Sequence, residues 1–459
     1  MEPFDEILAY TDTVCEQIRW KKARPLIEKE IKDHIYDQRD AYIYDGENME
    51  TATKKALLQM GDAVTIGLEL DKTHKPKPQW SMIVLTGLFM LIGLFANTVL
   101  HLEYVILGTA SHIAPLCIAF ILFLLAYFFD FTWLSNYAFP SYCFLLLFST
   151  LGVIFGTHIN GTIYLYTGFF SLNLAYLSLV FPLGYALLIY ALRSQGKKGL
   201  FLCGLGIIPP LVLLFFVSNL SGFLLFAFSA LLLLGMSVIK GWFGHNKKEE
   251  ILLFLFTIFL VCIALICVSM IYGYRMEHSI FTDSHTPTNL SIVKELLEHS
   301  SFIGKGNGSE AFEQEIGLLT LSVYDYLLVI FIYRFGFITL FFIGGLLFLF
   351  ALIGFYQMTK QRSVLGSLVS CSILLSFVLQ SAFYIIGNLT TFTSLPLSLP
   401  FMSYGKTSLL MNAILIGFLL SVFRNGDIIQ DKVQEQQPSR HHFSFITYSD
   451  GKLIIQLKR

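Results

Sequence analysis

Ser221-Gly-Phe-Leu-Leu-Phe-Ala-Phe-Ser-Ala-Leu-Leu-Leu-Leu-Gly-Met-Ser-Val-Ile-Lys240 runs nineteen residues before meeting its first charge, the terminal lysine. A helix needs about 20 such residues to cross hydrocarbon, so the stretch reads as a membrane span. Working outward, comparable apolar runs occupy 81–100, 109–129, 136–156, 171–192, 200–217, 251–273, 325–358, 364–387 and 405–423. The expected architecture is therefore an all-α polytopic membrane protein with about ten transmembrane helices, which puts both termini on one side. The run 325–358 is too long for a simple span and is expected to begin as an interfacial or re-entrant segment.

Composition agrees. Of the 459 residues, 55% are hydrophobic and only 14% charged, against about 25% charged in soluble domains. The charges gather in residues 1–77 and 424–459. A net charge of -1 implies no nucleic-acid partner. Six of the seven cysteines lie inside apolar runs, so no disulfide framework is expected, and no spacing resembles a metal site. The start, Met1-Glu-Pro-Phe-Asp5, lacks the layout of a cleaved signal peptide, which leaves the first span to act as the insertion signal.

Orientation follows from the lysines and arginines. Lys72, Lys75, Lys77, Arg193, Lys197, Lys198, Lys240, Lys247, Lys248, Lys360, Arg362 and Arg424 all fall on one side of the ten crossings. The short opposite loops 101–108, 157–170, 218–220 and 388–404 carry none. The positive-inside rule places both termini in the cytoplasm of a plasma-membrane protein. One outer segment, 275–324, is long, and loops of that length are more often functional than mere connectors.

The flanks are soluble in character. Residues 1–71 read as a small helical domain: Ile27, Ile31 and Ile35 repeat every fourth residue, Asn48 can cap the helix after Gly46, and Ala52, Ala56, Leu57 and Met60 face inward. Residues 72–80 form a basic, proline-bearing linker into the membrane domain 81–424. The tail 425–459 ends in two alternating strands around Asp450-Gly451, a hairpin over 443–457.

Four places could carry chemistry. Asp325 starts the long eighth span, where a membrane-edge carboxyl is a candidate general base; a helix-start aspartate satisfied by backbone N–H groups is the competing reading. Arg334, nine residues on, needs a partner or a wet cavity. Lys305 sits in Gly304-Lys-Gly-Asn-Gly308, where glycines allow close backbone approach to a phosphate, although a solvated turn has the same composition. The most specific stretch is Leu395-Pro-Leu-Ser-Leu-Pro-Phe-Met-Ser-Tyr-Gly-Lys-Thr-Ser-Leu-Leu410. Its non-helical backbone at membrane depth must be buried or line a wet cavity. Ser403, Lys406, Thr407 and Ser408 would present donors at a helix N-terminus, favourable for an anionic headgroup.

This last stretch resembles the signature of the SEDS proteins (FtsW/RodA/SpoVE), usually Leu-Pro-Phe-Ile-Ser-Tyr-Gly-Gly-Ser-Ser; here Leu399-Pro-Phe-Met-Ser-Tyr-Gly-Lys-Thr-Ser408 has Lys406 for the second glycine. Gln380 lies upstream at the family's distance. Asn160-Gly161, the Gly-Lys-Gly turn, Tyr324-Asp-Tyr-Leu327 and Phe335-Gly-Phe-Ile338 match further family positions. Residues 1–71 are similar instead to a permease-prefix domain of Gram-positive bacteria. The resemblance implies a peptidoglycan glycosyltransferase that polymerises lipid II, a lipid-linked disaccharide-peptide, at the outer face of the membrane, in cell division, cell shape or sporulation. It implies membrane lipid and a class B penicillin-binding protein transpeptidase as partners, and Asp325 as the catalytic residue. Substrate contacts would come from Lys305, Arg275, Gln380, Ser403, Tyr404, Lys406 and Ser408. Nothing in the sequence identifies a cofactor, a divalent cation included.

The chain also departs from the family. Charged family positions are Tyr176 and Leu179 here, Pro-Asp-Leu-Gly is Ser218-Asn-Leu-Ser221, Glu-Glu is Tyr333-Arg334, and an asparagine after Gln380 is Tyr384. These losses keep two alternatives open: a catalytically impaired scaffold that binds a transpeptidase or a lipid-linked precursor, and a precursor flippase. The flippase needs a continuous polar path, and spans two to seven offer almost no buried charge.

Overall fold

The computed structural model describes residues 3–21, 23–104, 110–159, 162–166, 171–217, 219–244, 247–280, 289–307, 326–390, 397–403, 405–425, 446–449 and 452–455. Asp325, Tyr404 and the Asn160-Gly161 pair lie outside them, as does the side chain of Arg275.

Four helices form the N-terminal unit: α1 (Pro3–Gln17), α2 (Arg24–Tyr44), α3 (Met49–Met60) and α4 (Ala63–His74). Ile27, Ile31 and Ile35 are buried on one face of α2 as their spacing requires, against Ile7, Val14, Ile18 and Ala56. Asn48 Oδ1 accepts from Thr51 N–H and Asp62 from Thr65 N–H, so α3 and α4 are each capped by the residue that precedes them. Between them Gly61 has φ 89°, a left-handed value that favours glycine. The Thr65 hydroxyl and amide hold the exposed Asp62 carboxyl below its usual range. Helix α4 runs on through Lys72 to His74, which shortens the expected linker to the five residues before Trp80.

The membrane domain follows the expected crossings. They are α5 (Trp80–Tyr104), α6 (Ala110–Phe128), a short α7 (Trp133–Asn136) leading into α8 (Ala138–Phe155), α9 (Phe181–Leu192), α10 (Gly196–Leu205) with α11 (Ile208–Phe216), α12 (Leu220–Ile239) and α13 (Lys247–Ile280). After α14 (Asn289–Glu298) in the long loop come α15 (Leu327–Phe335), α16 (Ile338–Thr359), α17 (Val364–Leu389) and α18 (Lys406–Asn425). Among the described residues seven segments are long and apolar enough to span. One of these, Leu174–Phe216, turns at Arg193–Gln195 and so supplies two crossings, while α5 and α6 contribute shorter apolar runs. The eighth span is broken, as its length required: Gly336, at φ 92°, separates the buried α15 from the spanning α16.

Burial orders the bundle. In α12 and α17, 67% of the spanning window is buried, and in α18 78%, whereas α13 and α16 bury 17% and 22%. The first three form the protein core and the other two face lipid. Phe89, Phe350 and Phe377 join α5, α16 and α17, with ring centroids 4.6 to 6.2 Å apart. Small residues set the closest approaches, as is usual where lipid is as apolar as the core. A side chain at Gly417 of α18 would collide with the Phe123 carbonyl of α6.

Among the described residues two sheets complete the fold. The C-terminal hairpin is present, with β4 (Ile446–Ser449) paired antiparallel to β5 (Lys452–Ile455). The second sheet was not expected from the sequence: β1 (Thr157–Ile159), β2 (Thr162–Tyr166) and β3 (Ser171–Asn173) pair antiparallel in the loop before α9.

Replacing Ile35 with alanine is expected to destabilise the N-terminal unit by about 2–5 kcal/mol. Hydrogen–deuterium exchange on the whole protein should quicken across α1 to α4 and leave the membrane helices unchanged.

Candidate functional site

By alternation of the helices, the loop holding α14, the break at Gly336 and the turn before α18 all lie at the end of the bundle opposite the termini. Two structures are built there.

The first is the lead-in to α18. Pro400 cannot donate a backbone hydrogen bond, and the chain turns through Leu397–Ser403 with Phe401 at φ 61°. A non-glycine residue in that region costs on the order of 1–3 kcal/mol and persists only where its surroundings fix it. Gly93 of α5 does so, since its missing side chain lets the Phe401 carbonyl lie against the helix backbone. Ser403 Oγ accepts from Leu399 N–H at 2.8 Å. Gln380 of α17, fully buried, donates through Nε2 to the Ser398 carbonyl at 2.8 Å and to Ser408 Oγ at 3.3 Å. Asn412 donates to the Ser408 carbonyl and hydroxyl at 2.9 and 3.1 Å. Thr407 Oγ1 accepts from Asn173 N–H at 3.1 Å and donates to the Ser171 carbonyl, which ties the start of α18 to β3. Gln380 thus bonds both the turn and Ser408, Ser403 closes the turn, and each of the three is at most 2% exposed. Lys406 is exposed at the first position of α18.

The second is the platform under the long loop. Ile292, Val293 and Leu296 of α14 bury against Val329 and Tyr333 of α15. The Gly-Lys-Gly turn docks on the other end of α15: Gly304 N–H donates to the Phe335 carbonyl at 3.1 Å and Gly306 N–H to the Tyr333 carbonyl at 2.7 Å. Phe337 and Ile338 N–H return bonds to the Ser301 and Phe302 carbonyls. Gly306 is therefore needed for close packing and Gly304 for its backbone conformation. A Cβ at Gly306 would sit 2.6 Å from the Tyr333 ring, and Gly304 has φ 90°. Lys305 is left exposed between them, while Arg334 is half-buried in the last turn of α15.

Helix α17 connects the two. Gln380 reaches the α18 lead-in, and one turn further Tyr384 Oη accepts from Leu328 N–H of α15 at 3.2 Å. Sequence reasoning missed Asn412 and Ser398 as members of the first cluster. A lone asparagine in an apolar span was the available signal for Asn412; Ser398 had none. Of the positions where family charges are absent, Leu179 is fully buried and Asn219 caps α12 through Gly222 N–H. Tyr176 Oη lies 3.4 Å from where a side chain on Gly405 would begin. Among the described residues no group of three or more His, Cys, Asp or Glu side chains could hold a metal ion.

These features define a multi-pass membrane protein. The chain belongs to the FtsW/RodA/SpoVE family of cell cycle proteins, whose model matches residues 75–427. No curated protein sequence matches it. Its fold is similar to a chain of a peptidoglycan synthase complex that coordinates polymerisation and crosslinking, with a TM-score of 0.58 and 19% identity over 77% of this chain and 99% of that one. It is also similar to the rod shape determining protein RodA of Thermus thermophilus, at TM-score 0.54 and 18% identity over 77% and 98% of the two chains. A RodA variant with one aspartate changed to alanine aligns at TM-score 0.53 and 18% identity over 77% of this chain and 99% of its own.

Substituting Gly306 with alanine is expected to unseat the turn from α15 at a cost of about 1–3 kcal/mol. Limited proteolysis should then cut within 299–307 faster than in the unmodified protein, with the rest of the digestion pattern intact.

Proposed function

We propose that this protein is a peptidoglycan glycosyltransferase that polymerises lipid-linked disaccharide-peptide at the outer face of a Gram-positive plasma membrane, both termini lying in the cytoplasm. Family membership over residues 75–427 carries the reading, and the retained Asp325 at the family's acidic position supplies the chemistry. In this mechanism the acceptor sugar hydroxyl attacks the anomeric carbon of the donor, and the bond from that carbon to the lipid diphosphate breaks. Asp325 takes the hydroxyl proton as general base, and the diphosphate leaves with the electron pair. Arg275, Lys305 and Lys406, with the N-terminal amides of α18, are the cationic and dipolar groups that would stabilise the departing charge. Two structural neighbours are a chain of a peptidoglycan synthase complex and a rod shape determining protein, which supports a role in cell shape or division beside a penicillin-binding transpeptidase.

A second reading, a scaffold that binds a transpeptidase or lipid-linked precursor without turnover, draws on the missing charges at Tyr176, Leu179, Asn219 and Tyr333. One pair of measurements separates the two. With purified lipid-linked disaccharide-peptide, the unmodified protein should form glycan strands, and Asp325→Ala should lower the rate at least about 100-fold. An inactive unmodified protein, with Asp325→Ala still complementing a deletion strain, would replace the polymerase reading with the scaffold.

A further inference from the structure

The sheet in the loop before α9 has two unlike faces. Residues 157–173 contain no Asp, Glu, Lys or Arg, and strand alternation sorts their side chains. Ile163 and Leu165 of β2 pack into the core of the bundle. A Cβ at Gly156 would lie 2.3 Å from Ile163 Cγ2, so the sheet sits close on the end of α8. Thr162, Tyr164 and Tyr166 therefore point the other way. The register sets Thr157 and Asn173 opposite Tyr164, and Ser171 opposite Tyr166, on that same outward face. Ile159, opposite Thr162, is its aliphatic member.

Three contacts give this face a fixed place. Tyr164 Oη accepts from Asn173 Nδ2 at 3.3 Å, and the Tyr164 and Tyr166 ring centroids lie 6.4 Å apart. Asn173 N–H donates to Thr407 Oγ1 at 3.1 Å. The aromatic face thus stands beside the first turn of α18, where Lys406 is exposed. Tyr164 is held half-buried, whereas Tyr166 is 58% exposed.

The chemistry of the face selects its occupant. A sugar ring has a side of C–H groups, which stacks on an aromatic ring, and a rim of hydroxyls, which bond neutral hydroxyl and amide side chains. The outward face of the sheet offers both and bears no charge, so a partner recognised by salt bridges finds no site on it. A cation stands at its edge, in Lys406, where a phosphate attached to the sugar would meet it.

We propose that the outward face of β1–β3 is a saccharide-binding platform, with Tyr166 as the stacking ring and Ser171 and Asn173 beside it as hydrogen-bond partners. The choice of a glycan as occupant rests on the polymerase reading. The competing assignment is an interfacial anchor, since tyrosines gather at membrane–water boundaries. An anchor has no affinity for a soluble sugar.

The test uses the full chain in detergent and chitotetraose, a soluble neutral oligomer of an acetamido sugar that carries neither lipid nor phosphate. Isothermal titration should show saturable binding at millimolar concentration. Tyr166→Ala is expected to weaken it about tenfold, the loss of one stacked ring, and Tyr166→Trp to keep it within about threefold. Thermal midpoints should agree to within about 4 °C. In glycan-strand formation Tyr166→Ala should raise KM for lipid-linked disaccharide-peptide more than it lowers kcat, the mark of a lost binding contact. No binding by the unmodified protein, or equal binding by Tyr166→Ala, overturns the platform and leaves the polymerase reading standing. Saturable binding that Tyr166→Ala loses, in a protein that forms no glycan, upholds the platform and overturns the polymerase reading. Should Tyr166→Ala fail to fold, hydrogen–deuterium exchange of the unmodified protein with saturating chitotetraose decides: slower exchange across 162–166 upholds the platform and unchanged exchange overturns it.

Discussion

Inside hydrocarbon an unpartnered backbone N–H or carbonyl costs several kcal/mol, because no water is present to replace the missing bond. This chain nevertheless breaks its helices at one end of the bundle, at Gly336 and through Leu397–Ser403. Everything built at that end answers the same requirement. The Ser301–Gly306 turn supplies carbonyls and amides to the break after α15. Ser403 and Gln380 do so for the lead-in to α18, and Thr407 for the backbone of Ser171 and Asn173 beside it. The polar side chains that mark the region are first of all the partners of its own irregular backbone.

That requirement explains what could be read from the sequence. Uncharged runs as long as 221–239 have one stable solution in a bilayer, so the crossings and their order were legible from hydropathy. The prefix helices α2 and α3 were legible for a different reason: the spacing of Ile27, Ile31 and Ile35 and the cap at Asn48 are local signals. The sheet of β1, β2 and β3 was overlooked although Asn160-Gly161 beside Thr162-Ile-Tyr-Leu-Tyr166 carries the hairpin dipeptide and strand-forming residues. A ten-span frame had absorbed that segment as a connector. The contacts of Gln380 with Ser398 and of Tyr384 with Leu328 join residues 18 and 56 positions apart, and no local pattern encodes them.

Glycines show the same limit from another side. In sequence, Gly304-Lys-Gly306 suits a phosphate cradle, because glycine lets backbone approach a ligand. In the fold the approach is made by α15, whose Tyr333 carbonyl accepts the Gly306 N–H and whose Tyr333 ring fills the space that a side chain at 306 would need. The turn therefore presents Lys305 from a fixed base. A cation held this way has a defined place at the bundle end, whereas a lysine on a free loop would have to be ordered each time an anion bound.

The lost family charges fit this economy of partners. Burying an ion pair requires stripping water from two charges, and a neutral, well-packed replacement is often no less stable. Leu179 takes such a place fully buried, with its carbonyl accepting from Ser376 Oγ at 3.1 Å. Asn219 bonds the Ala175 carbonyl and caps α12 in the same stroke. Neutral groups thus do the joining within the bundle, where charge is costly. Arg275 lies near the end of α13, Lys305 in the loop turn and Lys406 at the start of α18. A reaction in which a hydroxyl loses a proton and a diphosphate departs needs its charges at that boundary, and the interior needs only to hold the two broken helices in register. In the proposed reading the chain has kept charge where bonds change and replaced it where helices meet.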